Sequence, residues 1–232
     1  MKKIITTLSF AFLMAMGLVN SASAISLSGL GIGVSAAHGG FYGEGTENEE
    51  SSEPGTDDTR EAGAFVANFG SVFVEYDLGP VRLGVDYIPN AIETPKNKNV
   101  QGSLTNTVMA EFENHTTAYA ILPVPFLSYG DGGAYLKAGA IYVDIKSIET
   151  LETGGSYPDT DTTGFTAGFG WAQDAGNGIS VRAEILAAQY EDIEVKNSVE
   201  NPDRISADDV ATVVKVDEMM AASARISIVK TF

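Results

Sequence analysis

The chain has no cysteine, only two histidines and a single tryptophan among its 232 residues. Without cysteine there can be no disulfide framework, no thiolate metal site and no cysteine nucleophile. Basic residues are scarce as well: 14 Lys and Arg stand against 31 Asp and Glu, a formal charge of −17 that makes the chain a poor partner for the phosphates of DNA or RNA. After the first 25 residues no apolar run approaches the roughly 20 residues that a membrane-crossing helix needs, and no stretch reads as a long amphipathic helix. A chain this short makes one domain or two small ones.

The first residues carry a processing signal. Lys2 and Lys3 form a basic start, Ile4 to Leu18 is an apolar run, and Ala22-Ser23-Ala24 has the A-x-A form of a cleavage site. Residues 1–24 are therefore expected to be an export signal, leaving 25–232 as one domain that is more acidic still, because the removed segment holds two lysines and no acid.

The remainder reads as β-strand. Period-two alternation or β-rich composition predicts strands over Leu27–Ala37, Gly63–Leu78, Val81–Pro89, Val108–Val124, Ala134–Ile148, Gly164–Trp171 and Ile179–Tyr190. A last strand ends at Phe232 and begins as early as Val210. The fourth is the least regular, and Pro123 and Pro125 mark its expected end. Connections alternate in length: 38–62, 90–107, 149–163 and the stretch before the last strand are long and polar or acidic, whereas those near Gly79-Pro80, 126–133 and 172–178 are short. Short turns on one side, long loops on the other and both ends on the short side describe an even-stranded meander closed on itself.

A soluble sheet and a membrane barrel both alternate, so the contents of the two faces must separate them. One face carries residues such as Ile32, Val34, Val72, Val74, Leu83, Leu136, Phe165, Phe169, Ile185, Ile226 and Ile228. The other carries Gly29, Gly31, Gly33, Gly84, Gly139, Gly164, Gly168 and Gly170 together with Glu75, Arg82, Asp86, Lys137, Arg182, Glu184 and Arg225. Glycine weakens a water-facing strand but relieves crowding in a narrow lumen, and mixed charges there can pair internally. Eight strands leave an interior only wide enough for side chains. The expected arrangement is therefore inside out, with the apolar face toward lipid. Tyr76, Tyr87, Tyr142, Trp171 and Phe232 fall on that face near strand ends, where amphipathic rings suit the headgroup region.

With these features the chain resembles the small bacterial outer-membrane β-barrel proteins, the group of the OmpA transmembrane domain and the OmpX-like proteins. The residues that carry the resemblance are the signal segment, LSGLGIGVSAA at 27–37, GSVFVEYDLG at 70–79, VRAE at 181–184 and the last strand ending in Phe232. The resemblance implies an all-β fold, an eight-stranded antiparallel up-and-down transmembrane β-barrel in the cell outer membrane, in contact with lipid and lipopolysaccharide. It also implies recognition by the barrel-assembly machinery through Phe232 with Ile228, Ile226 and Ala224. Lys230 departs from the pattern, since it takes an outward slot that is usually apolar; so close to the rim a lysine can snorkel.

No catalytic, cofactor-binding or metal residue is assigned, and no cofactor is expected. Gly29-x-Gly31-x-Gly33 lacks the βαβ setting of a dinucleotide fingerprint and is explained by a strand. His38, at the expected outer end of the first strand, or His115, with Ser35 or Glu111, would be the components of a rim-located lipid-modifying enzyme, but no motif joins them. Acids crowd the expected loops: Glu44, Glu47, Glu49, Glu50, Glu53, Asp57, Asp58 and Glu61, then Asp159 and Asp161, then Asp203, Asp208 and Asp209. Such oxygens suit weak divalent-cation binding without an EF-hand spacing, or simply a solvated surface. The expected role is structural or surface-interaction, with acidic loops displayed outside. A narrow porin-like channel and a secreted soluble β-sandwich or small-ligand barrel are the other readings.

Overall fold

A computed structural model describes residues 28–49, 59–101, 104–152, 155–197 and 212–232. The signal segment and Glu50, Glu53, Asp57, Asp58, Asp203, Asp208 and Asp209 lie outside the described residues. Every regular element among the described residues is a strand: β1 (Leu30–Glu49), β2 (Thr59–Asp77), β3 (Arg82–Tyr87), β4 (Ile92–Glu93), β5 (Asn97–Gln101), β6 (Leu104–Tyr129), β7 (Gly132–Thr150), β8 (Thr160–Gly176), β9 (Ile179–Tyr190), β10 (Ile193–Lys196) and β11 (Thr212–Thr231).

All pairings are antiparallel, in the order β1-β2-β3-β6-β7-β8-β9-β11, and β11 pairs back onto β1 from Thr231 opposite Gly31 to Thr212 opposite Glu49. The strands thus form a ring resembling an outer-membrane barrel. β3, β4 and β5 all run along β6, and β9 and β10 both run along β11, so two of its walls are interrupted strands. Tight turns join β2 to β3, β6 to β7 and β8 to β9, where Gly79, Gly130 and Asn177-Gly178 take the positive φ that such reversals require. They share one end of the ring with Gly29 and Phe232, as the alternation of connection lengths predicts.

Several strand ends differ from the expected ones. β1 continues to Glu49 and β2 begins at Thr59, so Glu44, Glu47, Glu49 and Glu61 stand on strands, as does Asp161 on β8, while Asp159 precedes that strand. His38 consequently sits in mid-strand and not at its outer end. Most of the expected loop 90–107 is β4, β5 and the start of β6. β6 passes through Pro123 and Pro125 to Tyr129: Pro123 still stands opposite Tyr135 but lies beyond the last β3 partner at Ile121, and Pro125 falls within the register shift between Pro123 and Ser128. A second shift in β6 sets Asn114 and His115 against Val143 alone, with Asn114 at φ 52°, and another leaves Asp217 of β11 unpaired between Glu44 and Gly45. Each bulge exchanges the inward and outward positions beyond it.

Ladder pairing of β2 with β3 ends at Val72 opposite Tyr87. Among the described residues the stretch of β2 from Thr59 to Ser71 pairs with β1 only, leaving its other edge without a ladder partner.

The faces fall as the alternation predicts. Ile32, Val34, Val72, Leu136, Phe165, Phe169, Ile185, Ile226 and Ile228 point outward and are exposed, Ile226 at 63 %. Glu75, Asp86, Lys137, Arg182, Glu184 and Arg225 point inward and are buried, none above 8 % exposed. Only Arg82 of the expected inner charges lies partly open, at the short-turn end. A water-soluble pattern is thus reversed for the charges, which lie inside while the outer face is apolar, although Ile121, Ile141, Val143 and Ile145 also point inward.

Candidate functional site

The interior of the ring holds a ladder of charge pairs. On β2, Glu75 accepts two hydrogen bonds from Arg182 of β9, at 2.7 and 2.8 Å, and a third from the Tyr119 hydroxyl at 2.8 Å, with Arg82 at 3.6 Å. Glu184 accepts from Lys137 at 3.2 Å and from Tyr135 at 3.0 Å. Asp86 accepts from Arg225 and from Ser71, each at 2.7 Å. The Lys137 ammonium lies 4.0 Å from the centre of the Tyr119 ring, which adds a cation–π contact and links the first two clusters. Every buried carboxylate here has a cation and a hydroxyl donor, so the desolvation of each is offset by charge-assisted hydrogen bonds.

Glycine makes room for these tyrosines. Gly84 pairs directly with Tyr119, and a Cβ there would meet the Tyr119 Cζ at 2.6 Å; Gly170 pairs with Tyr135, whose Cζ would be 2.4 Å away. Phe73 covers Gly33 in the same way. An inward ring thus folds flat over the bare backbone of the next strand, which aims each tyrosine hydroxyl along the wall at a carboxylate. The crowding that these glycines relieve comes from a ring on the adjoining strand, and not from a backbone across the lumen as their alternation suggests.

Along the axis the interior changes character. A polar cavity of about 380 Å³ opens at the short-turn end, lined by Asp77, Arg82, Asp131, Asp174 and Arg182. Glu75, Tyr119, Tyr135, Lys137, Arg182 and Glu184 then fill the middle. Beyond them lies a chamber of about 50 Å³ lined by Asp86, Lys137, Arg225 and Thr166, followed by a larger one of about 490 Å³ with mainly apolar walls. His115 and Tyr190 line both, joined by a 3.1 Å hydrogen bond between His115 Nε2 and the Tyr190 hydroxyl.

The sequence candidates for chemistry do not assemble. Ser35 points inward to the Ser71 hydroxyl at 2.7 Å, whereas His38, three residues on and therefore on the opposite face, points outward to Asn68 at 2.8 Å. His115 is inward, while Glu111 pairs across the ladder with Lys146 and Glu93. Among the described residues no group of three or more His, Asp or Glu is placed to hold a metal ion. His115 keeps the inward phase of Thr117, Tyr119 and Ile121, and its partner Tyr190 stands 75 residues on in another strand, so spacing alone does not disclose the pair.

At the far rim from the tight turns, outward tyrosines meet polar groups. Tyr42 donates to Glu44 at 2.9 Å, Tyr142 to Asp144 at 2.6 Å and Tyr87 to Asn114 at 3.3 Å. Beyond them ion pairs join neighbouring strands: Arg60 with Glu44, and Lys146 with Glu113 at 2.6 Å. The Tyr42 hydroxyl and the Arg60 guanidinium hold the Glu44 carboxyl below the usual glutamate range, and the Glu113 carboxylate raises the Lys146 ammonium above the usual lysine value. At the opposite rim, Lys230 donates to the Asn177 carbonyl and sits 5.6 Å from the Phe232 ring centre.

No protein-family model matches the sequence, and no curated protein matches it. Solved structures do match in fold. The outer membrane protein OprG from Pseudomonas aeruginosa is similar with a TM-score of 0.56 at 12 % identity, over 88 % of this chain and 98 % of that one. The outer membrane protease OmpT from Escherichia coli gives a TM-score of 0.46 at 8 % identity over 87 % and 97 % of the two chains, and Neisserial surface protein A gives 0.42 at 14 % over 88 % and 98 %. The likeness to OprG, at so low an identity, is one of fold, and on that evidence the chain has the β-barrel-like fold of a bacterial outer-membrane protein.

Proposed function

We propose that this chain is an eight-stranded up-and-down transmembrane β-barrel of the bacterial outer membrane, exported by residues 1–24 and folded from 25–232, with a structural and surface-interaction role. The observation that carries the reading is the inversion of faces: branched aliphatic and aromatic side chains outside, charges neutralised within. In water such an outer face would aggregate; in lipid it is required, and the ladder between β1 and β11 supplies the hydrogen bonds that hydrocarbon cannot along that seam, although among the described residues no ladder does so along the β2 edge from Thr59 to Ser71. From Leu30 to the Tyr42 belt, at about 3.3 Å per residue and a tilt of about 40°, β1 spans about 30 Å, the scale of a bilayer core and its interfaces.

On this reading the tight turns face the periplasm and the acidic strand extensions face outward. Phe232 with Ile228, Ile226 and Ala224 offers the assembly machinery an outward aromatic and alternate apolar residues; Phe232 is half exposed, and Lys230 snorkels to the turn at Asn177. Lipid and lipopolysaccharide are the immediate partners, and weak divalent cations bridge the outer acids to lipopolysaccharide phosphates. Steady conduction is disfavoured by the filled middle of the lumen, where Arg182 and Lys137 reach across to Glu75 and Glu184.

Fractionation tests the location. The protein is expected in the detergent-resistant outer-membrane fraction with heat-modifiable gel migration; recovery from the periplasm without detergent overturns the reading. In planar bilayers the intact chain is expected to show no steady current, and a stable ohmic channel would establish the porin-like alternative.

A further inference from the structure

We infer that the outer half of the lumen is a binding site for a small amphipathic monocarboxylate, with its apolar tail in the larger chamber and its carboxylate in the small one beneath. The larger chamber is walled by Phe41, Phe65, Ile92, Phe112, Ile145 and Val216. The Asn114 and Asp217 bulges build it: by exchanging the faces of β6 and β11 they bring Phe112 and Val216 inward, where Phe112 pairs with Ile92 on one side and Ile145 on the other. Ile92 and Ile145 are buried, and Phe41 stacks on Phe65 at 4.9 Å. Walls of this kind match the tail of an aliphatic molecule.

The floor asks for a hydrogen-bond acceptor with negative charge. His115 is inward at the boundary of the two chambers; its Nε2 is engaged by Tyr190, while its Nδ1 is buried with no hydrogen-bond partner. Arg225 lines the lower chamber and keeps its Nε–H without a partner, its Nη1 being committed to Asp86. Buried donors of this kind are costly when unmade. The charged residues lining the lower chamber are Lys137, Arg225 and Asp86; Lys137 is paired with Glu184 and Arg225 with Asp86, so what the space offers an acceptor is the spare Arg225 Nε–H and the His115 Nδ1. A carboxylate in that space, of about 50 Å³, would accept from Arg225 Nε and from a protonated His115 Nδ1 whose Nε2 then accepts from Tyr190. Neither a neutral hydrocarbon nor a cation uses this pair of donors.

The inference concerns the inside of the ring and goes beyond the proposed surface role. Octanoate is the probe, titrated against the full folded chain in lipid nanodiscs and followed by NMR of the histidine side-chain nitrogens. Saturable binding that moves the Nδ1 resonance is expected, with octanol and acetate each at least tenfold weaker. His115→Phe, which removes the donor, and Ile92→Trp, which fills the chamber and leaves His115 in place, are each expected to weaken binding at least tenfold while heat-modifiable migration is retained. The inference is overturned if octanoate gives no saturable shift, if octanol binds as tightly, or if both folded variants bind like the parent. None of these outcomes bears on outer-membrane fractionation, so the proposed location stands or falls separately.

Discussion

Arg182 and Glu75, 107 residues apart in the chain, meet inside the ring through two hydrogen bonds of 2.7 and 2.8 Å, with both side chains at most 2 % exposed. Removing one partner leaves the other charge buried without its counterion. Arg182→Met is expected to destabilise the folded protein by about 3–5 kcal/mol in reversible urea unfolding from lipid vesicles. The double change Arg182→Met with Glu75→Leu recovers much of that loss. If the single variant matched the parent, the pair would not hold the lumen together.

The glycine beneath each tyrosine makes a second, independent test. Gly84→Ala places a methyl 2.6 Å from Tyr119 Cζ and 2.7 Å from its hydroxyl oxygen, so the ring must tilt and its bond to Glu75 is lost. The expected cost is about 1–3 kcal/mol in the same unfolding assay. Gly40→Ala is the control, because a Cβ there meets nothing within 4 Å. Equal effects of the two substitutions would show that ring packing is not the reason for glycine at position 84.

The sign of a charge on the outer face separates membrane from water. Ile226 is 63 % exposed near the middle of the outward span of β11. Ile226→Lys is expected to cost about 2–4 kcal/mol of folding stability in bilayers. In a soluble sheet the same change would be neutral or would improve solubility. A neutral result in lipid vesicles would refute the orientation.

At the outer rim, acid should loosen β1 from β2. Glu44 has a folded pKa below the ordinary glutamate value, because Tyr42 and Arg60 favour its ionised form. Its contribution is therefore complete above the usual glutamate range and disappears as pH falls through the depressed value. Amide protection near Glu44 and Arg60 is expected to drop over that acidic interval, and Glu44→Gln is expected to remove the dependence. A flat profile in the parent would contradict it.

Much of the fold is legible in the residues because period two survives wherever the ladder is regular. Val181, Ala183 and Ile185 alternate with Arg182, Glu184 and Leu186, and those sets separate cleanly into outside and inside. Legibility fails at bulges and rims. The residues at 108–124 look irregular because the Asn114 bulge exchanges the two faces partway through β6. Thr59 to Ala62 carry no apolar alternation, being exposed on both faces, so the extension of β2 past the expected start leaves no signal. Which acid meets which base is also hidden: the faces are local properties, but the partners depend on register accumulated around the ring. Arg225 could not be matched with Asp86 from spacing alone, nor could His115 with Tyr190.

The edge of β2 from Thr59 to Ser71 makes the circumference mechanically unequal. Where the first and last strands join, zipping runs almost end to end; on the flank of β2 it stops at Val72. Breathing of the wall should therefore begin on the β3 side of β2, and the seam where β1 meets β11 should be among the last to part.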